Sequence, residues 1–165
     1  MDPTGEQSQE IYFGLHGKRT QSAVHAKTEA TILMRVMLDT NICIYLIKKQ
    51  PPAVLERFTA FPVGDIGISI ITWAELVYGV YKSRHSTRNR AALEEFVAPL
   101  EIAEFDRAAV AAYGPVRASL EKRGMIVGAM DLLIAAHAIS LGARIVTNDL
   151  REFQRIPGLR VENWV

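Results

Sequence analysis

From residue 34 to the C-terminus, short apolar runs alternate with helix-length amphipathic stretches, and few architectures can accommodate that alternation. The runs predict a strand at 35–38, helices at 40–48 and 52–61, and a strand at 67–70. Pro51 stops the first of those helices, and Pro52 suits the opening turn of the next. A helix over 73–82, a break at 83–87, a helix over 88–97 and a strand at 100–103 follow. A long helix over 106–122, kinked or divided at Gly114-Pro115, leads to a strongly apolar helix at 130–141 that Gly142 closes. Strands at 144–147 and 159–161 complete the series. Apolar strands separated by helices specify an α/β domain with a largely parallel central sheet. In such a sheet the functional groups collect beyond the carboxyl ends of the strands.

The first 33 residues read differently: glycines and polar residues are scattered, with little periodicity beyond Ile11-Tyr12-Phe13. They are expected to form a flexible extension, 1–33, ahead of a single domain, 34–165. Met34 can itself serve as a translation start, and an upstream start or an added leader accounts for the extension equally well. His16 and His25 have no cysteine or carboxylate at metal-ligand spacing.

The whole chain, at 165 residues, suffices for one good core. Its formal charge of +1 does not mark a nucleic-acid binder, so any such function needs a local basic surface. The lone cysteine, Cys43, excludes an intramolecular disulfide and reads as a small buried hydrophobe. Nothing approaches the roughly 20 apolar residues of a membrane span, and no signal-peptide core is present, so the cytoplasm is the expected location. Phosphate-loop, dinucleotide, zinc-protease and serine-hydrolase motifs are all missing.

Four acids stand where strand-like runs meet helices. Asp39 follows Val36-Met37-Leu38 and either caps the next helix or does chemistry; Thr40 or Asn41 caps nearly as well, so capping alone does not require aspartate. Glu75 lies in Trp73-Ala74-Glu75-Leu76-Val77, on an exposed helix face or in a site. Asp131 leads the buried helix Leu132-Leu133-Ile134-Ala135-Ala136 as an N-cap or as a ligand held at the helix terminus. Asp149 follows Thr147-Asn148, as an Asx turn or as a carboxylate those side chains orient. Converging carboxylates repel unless a hard cation neutralises them, a pattern that favours an Mg²⁺- or Mn²⁺-dependent phosphodiesterase acting on nucleic acid. His137, six residues after Asp131, reads as a core or surface histidine. Lys82, Arg84, His85, Arg88 and Arg90, with Lys48 and Lys49, form either solvated surface or a phosphate-contacting patch. Trp73, Tyr78 and Tyr81 recur near helical spacing and are expected to pack on another helix or a dimer partner.

These segments resemble a known family. Leu38-Asp39-Thr40-Asn41, Ile71-Thr72-Trp73-Ala74-Glu75-Leu76-Val77-Tyr78-Gly79, Asp131-Leu132-Leu133-Ile134-Ala135-Ala136-His137-Ala138 and Thr147-Asn148-Asp149 resemble, in order, the PIN domains of VapC toxins from bacterial type II toxin–antitoxin systems. Arg151-Glu152-Phe153, Ile156-Pro157-Gly158-Leu159 and Glu162-Asn163-Trp164 extend the likeness over residues 34–165. The resemblance implies a three-layer α/β/α PIN-like fold and a small Mg²⁺-dependent endoribonuclease, with Mn²⁺ as a substitute. It implies a homodimer restrained by a VapB-like antitoxin, with operator DNA bound chiefly through that antitoxin. Carried over, Asp39, Glu75 and Asp131 are the first three acidic ligands and Asp149 the fourth. Many relatives have asparagine at that fourth position, so the resemblance leaves Asp149 either a direct ligand or a residue that orients a water. RNA is the implied substrate, with initiator tRNA in the anticodon region as a target, and the implied products carry a 5′-phosphate and a 3′-hydroxyl. The apolar 52–61 segment and the 75–81 face suit the family's antitoxin groove. A related metal nuclease with a DNA or other RNA substrate, or a catalytically silent antitoxin-complex subunit, stays open as an alternative.

Overall fold

The computed structural model describes residues 34–165. The expectations placed on 1–33, including His16 and His25, lie outside the described residues. Five short strands, β1 (Val36–Leu38), β2 (Ile66–Ser69), β3 (Glu101–Ala103), β4 (Arg144–Val146) and β5 (Arg160–Glu162), form one sheet in the order β3-β2-β1-β4-β5. Every pairing among them is parallel.

Successive side chains on a strand point to opposite faces, and the core divides accordingly. Val36, Leu38, Ile66, Ile68 and Val146 face a layer built from α1 (Thr40–Lys48), α2 (Pro52–Thr59), α3 (Ile70–Lys82) and α4 (Ser86–Val97). Met37 and Ile145 face the other layer, built from α5 (Arg107–Lys122), α6 (Ala129–Ser140) and α7 (Leu150–Phe153). The result is the expected three-layer α/β/α arrangement. Cys43 is fully buried in the first layer, where burial pushes its thiol well above the ordinary range. Gly67 allows β3 to approach β2, since a β-carbon there would lie 2.5 Å from the Glu101 carbonyl oxygen. No helix among the described residues is long and apolar enough to cross a membrane.

Several boundaries move for identifiable reasons. Helix α3 begins at Ile70, three residues before the expected start, because the Ser69 hydroxyl caps it by accepting from the Ile71 amide at 3.0 Å. Ile70 therefore leaves the predicted strand. Helix α4 likewise starts at Ser86 and shortens the predicted break. Pro115 lies inside α5 without dividing it. Gly142 closes α6 at φ +62°, as expected. Helix α7 was not anticipated: four residues are too few to show a period.

The topology places the site. The chain builds β1, β2 and β3 outward in one direction, then returns to add β4 on the other side of β1. The carboxyl ends of β1 and β4 therefore flank a switch point, where an open parallel sheet leaves a crevice. Asp39 continues directly from β1, and its amide donates to the Val146 carbonyl at 2.9 Å. Thr147 continues from β4 beside it.

Candidate active site

Asp39 is held from three sides. Its Oδ1 accepts from the Thr40 amide at 2.7 Å, which makes it the N-cap of α1. Its Oδ2 accepts from Asn41 Nδ2 at 2.7 Å and from the Thr147 hydroxyl at 2.8 Å. A carboxylate has about four lone-pair positions, so one on Oδ1 remains open. The residue is 3% exposed, and burial is the largest influence on its pKa, which is raised. Hydrogen bonds from Thr147 and Thr40 oppose that shift, while Glu75 and Asp149 add to it.

The same short loops orient the neighbours. Thr40 donates its hydroxyl to Glu75 Oε2 at 2.5 Å, tethering the α3 acid to the residue after Asp39. The Thr147 hydroxyl accepts from the Asp149 amide at 2.9 Å, and Asn41 Oδ1 accepts from the Asn148 amide at 3.0 Å. Asp149 itself caps α7, its Oδ1 accepting from the Glu152 amide at 3.2 Å. Its capping role is thus real, and Thr147 orients Asp39 more directly than it orients Asp149.

Asp131 lies across the cleft in the first turn of α6. It is not the N-cap, a position that Gly128 fills. Burial pushes its carboxyl up to about 6, and Asp39, Glu75, Asp149 and Glu152 all push the same way. No hydrogen bond acts against them. Asp39, Glu75 and Asp149 are thus all near enough to Asp131 to act on its titration. Glu152 joins them, and sequence reasoning missed it. Its Oε2 is buried without a hydrogen-bond partner, although the spacing Asp149-Leu150-Arg151-Glu152 reads as an ordinary capping pattern.

His137 belongs to the core. Its Nδ1 meets the Ser69 hydroxyl at 2.9 Å, and Phe105 packs edge-on at 5.4 Å between ring centroids. The Ser69 hydroxyl oxygen also accepts from the Ile71 amide, and the ring tautomer sets whether Nδ1 or the hydroxyl donates between them. Burial lowers the histidine pKa, while Asp106 and the Glu104 backbone act in the opposite direction.

A groove of about 630 Å³ opens from the acids between α1, α3 and α4. Thr40, Glu75 and Gly79 line its acidic end, and Lys48, His85 and Arg88 bring positive charge to it. Residues 52–61 do not line it. Phe58 instead faces Phe96 at 6.5 Å, and Phe61 stacks on Trp164 at 5.6 Å, both as part of the core. Trp73 packs on the core as expected, whereas Tyr78 and Tyr81 are 65% and 67% exposed. They carry cations instead, with Lys82 5.9 Å from the Tyr78 ring and Arg90 5.1 Å from the Tyr81 ring.

Among the described residues, no three Asp, Glu, His or Cys side chains are gathered so as to hold a metal ion as they stand. The donor chemistry nevertheless fits a hard cation. The cleft holds oxygen donors only, one acid is displaced toward protonation by burial and by its neighbours, and one buried carboxylate oxygen is orphaned.

The PIN domain family model matches residues 36–159. The chain belongs to the PIN-domain family, in its VapC toxin–antitoxin branch. It is 46% identical over 132 residues to the tRNA(fMet)-specific endonuclease VapC of Shigella flexneri, covering 80% of this chain and 99% of that protein. Identity to ribonuclease VapC2 of Haemophilus influenzae is 45%, over 81% of this chain and 100% of the relative. Among solved structures, VapBC2 from Rickettsia felis bound to a promoter DNA fragment matches with a TM-score of 0.76 and 44% identity, over 80% of this chain and 100% of that one.

Proposed function

We propose that this chain is the toxin of a type II toxin–antitoxin pair, an Mg²⁺-dependent endoribonuclease that hydrolyses RNA phosphodiester bonds and accepts Mn²⁺ in place of Mg²⁺. The observation that carries the reading is the cleft itself: Asp39 and Asp131 hold their protons more tightly than free carboxyls, through burial first and then through the charges of Glu75 and Asp149 beside them. Initiator tRNA, cut in the anticodon region, is the proposed substrate, supported by the tRNA(fMet) specificity in the name of the Shigella relative. A VapB-like antitoxin is the proposed partner, with operator DNA bound through the complex, supported by the VapBC–DNA structure from Rickettsia felis. The active form proposed is a cytoplasmic homodimer.

Asp39, Glu75 and Asp131 would hold the cation, with Asp149 and the orphaned Glu152 oxygen beside them. When bound, the cation would offset charge on the scissile phosphate and make water a better nucleophile. Asp39 offers one open lone pair in an orientation fixed by Thr40, Asn41 and Thr147. Thr40 holds Glu75 at the rim of the basic groove, so an RNA phosphate can rest against Lys48 and Arg88 while its neighbour meets the acids. Hydrolysis at such a site leaves a 5′-phosphate and a 3′-hydroxyl, and it uses neither the 2′-hydroxyl nor a histidine.

The test is cleavage of labelled total tRNA by the purified chain in Mg²⁺ or Mn²⁺, with EDTA and Asp39→Ala as controls. Discrete cuts lost in both controls support the proposal. Intact tRNA beside a folded, cation-binding protein rejects the tRNA substrate, and cleavage that survives EDTA rejects the metal mechanism.

A further inference from the structure

Gly128 is the N-cap of α6, with φ −54° and ψ 141°. Any L-amino acid adopts that backbone, so no turn calls for glycine there. Nor does capping: Gly128 supplies no side-chain acceptor to the first turn, whereas Ser, Thr, Asp or Asn would. Space supplies the reason. A β-carbon added at Gly128 would lie 2.9 Å from Asp131 Oδ2, 3.5 Å from its Cγ and 3.9 Å from its Cβ, and these are its three nearest atoms. The Asp131 carboxylate thus folds back into the volume that any side chain at 128 would fill. Other glycines differ. A β-carbon at Gly67 meets the Glu101 backbone, and one at Gly114 meets nothing within 4 Å.

We propose that Gly128 is a positioning residue: its missing β-carbon lets the Asp131 carboxylate lie back over the start of α6, in the orientation that serves the acidic cleft. This rests on the reading of Asp131 as a cation ligand. Because the obstructed group is the free end of a side chain, alanine at 128 is accommodated by turning the carboxylate, not by moving the helix. Gly128→Ala is therefore a near-silent change for the fold and a damaging one for the site.

The experiment uses the full chain as wild type, Gly128→Ala and Gly114→Ala, with three readouts: melting in EDTA, Mn²⁺ titration by calorimetry, and a metal-free crystal structure of Gly128→Ala. The expected result is melting near wild type for Gly128→Ala and at or above it for Gly114→Ala, a helix-interior glycine, with Mn²⁺ affinity about 10- to 100-fold weaker for Gly128→Ala alone. The crystal structure is expected to show the Asp131 carboxylate rotated off residue 128 over an unshifted α6. Gly128→Ala that binds Mn²⁺ like wild type, keeps the carboxylate in place, or fails to fold in EDTA overturns the positioning role. A wild type that binds no Mn²⁺ overturns the cation-site reading beneath it, whatever the variant does.

Discussion

Asp131→Asn removes one charge from the acidic cleft and almost no volume. In the folded chain the Asp131 carboxyl is pushed from 3.8 up to about 6 by burial and by four neighbouring acids. An acid whose folded pKa is raised holds its proton more tightly when folded, so the fold loses stability as pH rises from 3.8 to about 6. Above that window the full cost is present; below it, none. At 1.36 kcal/mol per pH unit the difference corresponds to roughly 3 kcal/mol. The carboxyl is only partly buried, and solvent screening reduces this to about 1–2 kcal/mol. In EDTA at pH 7.5, Asp131→Asn should therefore melt about 3–8 °C above wild type, and the gap should close toward pH 4. Saturating Mg²⁺ or Mn²⁺ should reverse the order, because a cation at 100 times its Kd adds about 2.7 kcal/mol to a chain that binds it. Scanning calorimetry at several pH values, with and without the cation, reads both effects. A variant less stable than wild type in EDTA at pH 7.5 would refute the claim that Asp131 carries unrelieved repulsion.

Asp39→Ala should abolish tRNA cleavage and also destabilise the fold by about 1–2 kcal/mol in urea melts, since it strips the α1 cap and leaves Thr147 and Asn41 without their acceptor. His137 has a lowered pKa in the fold, so the unfolded chain takes up its proton first, and stability should drop as pH falls below about 6.5. His137→Gln should flatten that slope between pH 5 and 7 in urea melts, and an unchanged slope would reject His137 as its source. Lys48→Ala and Arg88→Ala should each weaken tRNA binding across sequences and lower the logarithmic salt slope by about 0.7–0.9, measured by filter binding at several salt concentrations.

Features with a local cause were legible in the sequence. The apolar runs gave β1 and β4 their faces, Pro51-Pro52 separated α1 from α2, and an acid directly after Val36-Met37-Leu38 led to the switch point. Ile68-Ser69-Ile70-Ile71 was not legible in the same way, because its apolar residues fit a strand or a helix, and only the Ser69 cap decides that α3 starts at Ile70. Glu152 was hidden by a spacing that capping alone explains; only its orphaned buried oxygen and its nearness to Asp131 mark it out. The pairing of Asp39 with Thr147 spans 108 residues, and no local pattern reports it. Tyr78 and Tyr81 show that helical spacing alone does not fix burial, which depends on what lies opposite: within the described chain both stay exposed, and Arg90 lies over the Tyr81 ring.

The five acids are not restrained alike, and the difference follows the layers of the fold. Asp39 and Glu75 belong to the α1–α3 side, where Thr40, Asn41 and Thr147 hold them with donors. Asp131 and Glu152 belong to the α6–α7 side, where one carboxyl has no donor acting on it and the other has an orphaned oxygen. Asp149 shares that side but accepts from the Glu152 amide, so the acids left without compensating donors are Asp131 and the Glu152 Oε2 oxygen. A fold selected for stability alone would replace Asp131 with a neutral residue and Gly128 with a better cap. Both changes leave the core intact. The hard cation proposed between Asp39, Glu75 and Asp131 would act on the Asp131 carboxylate with the right sign, stabilising the charged form that burial and repulsion oppose.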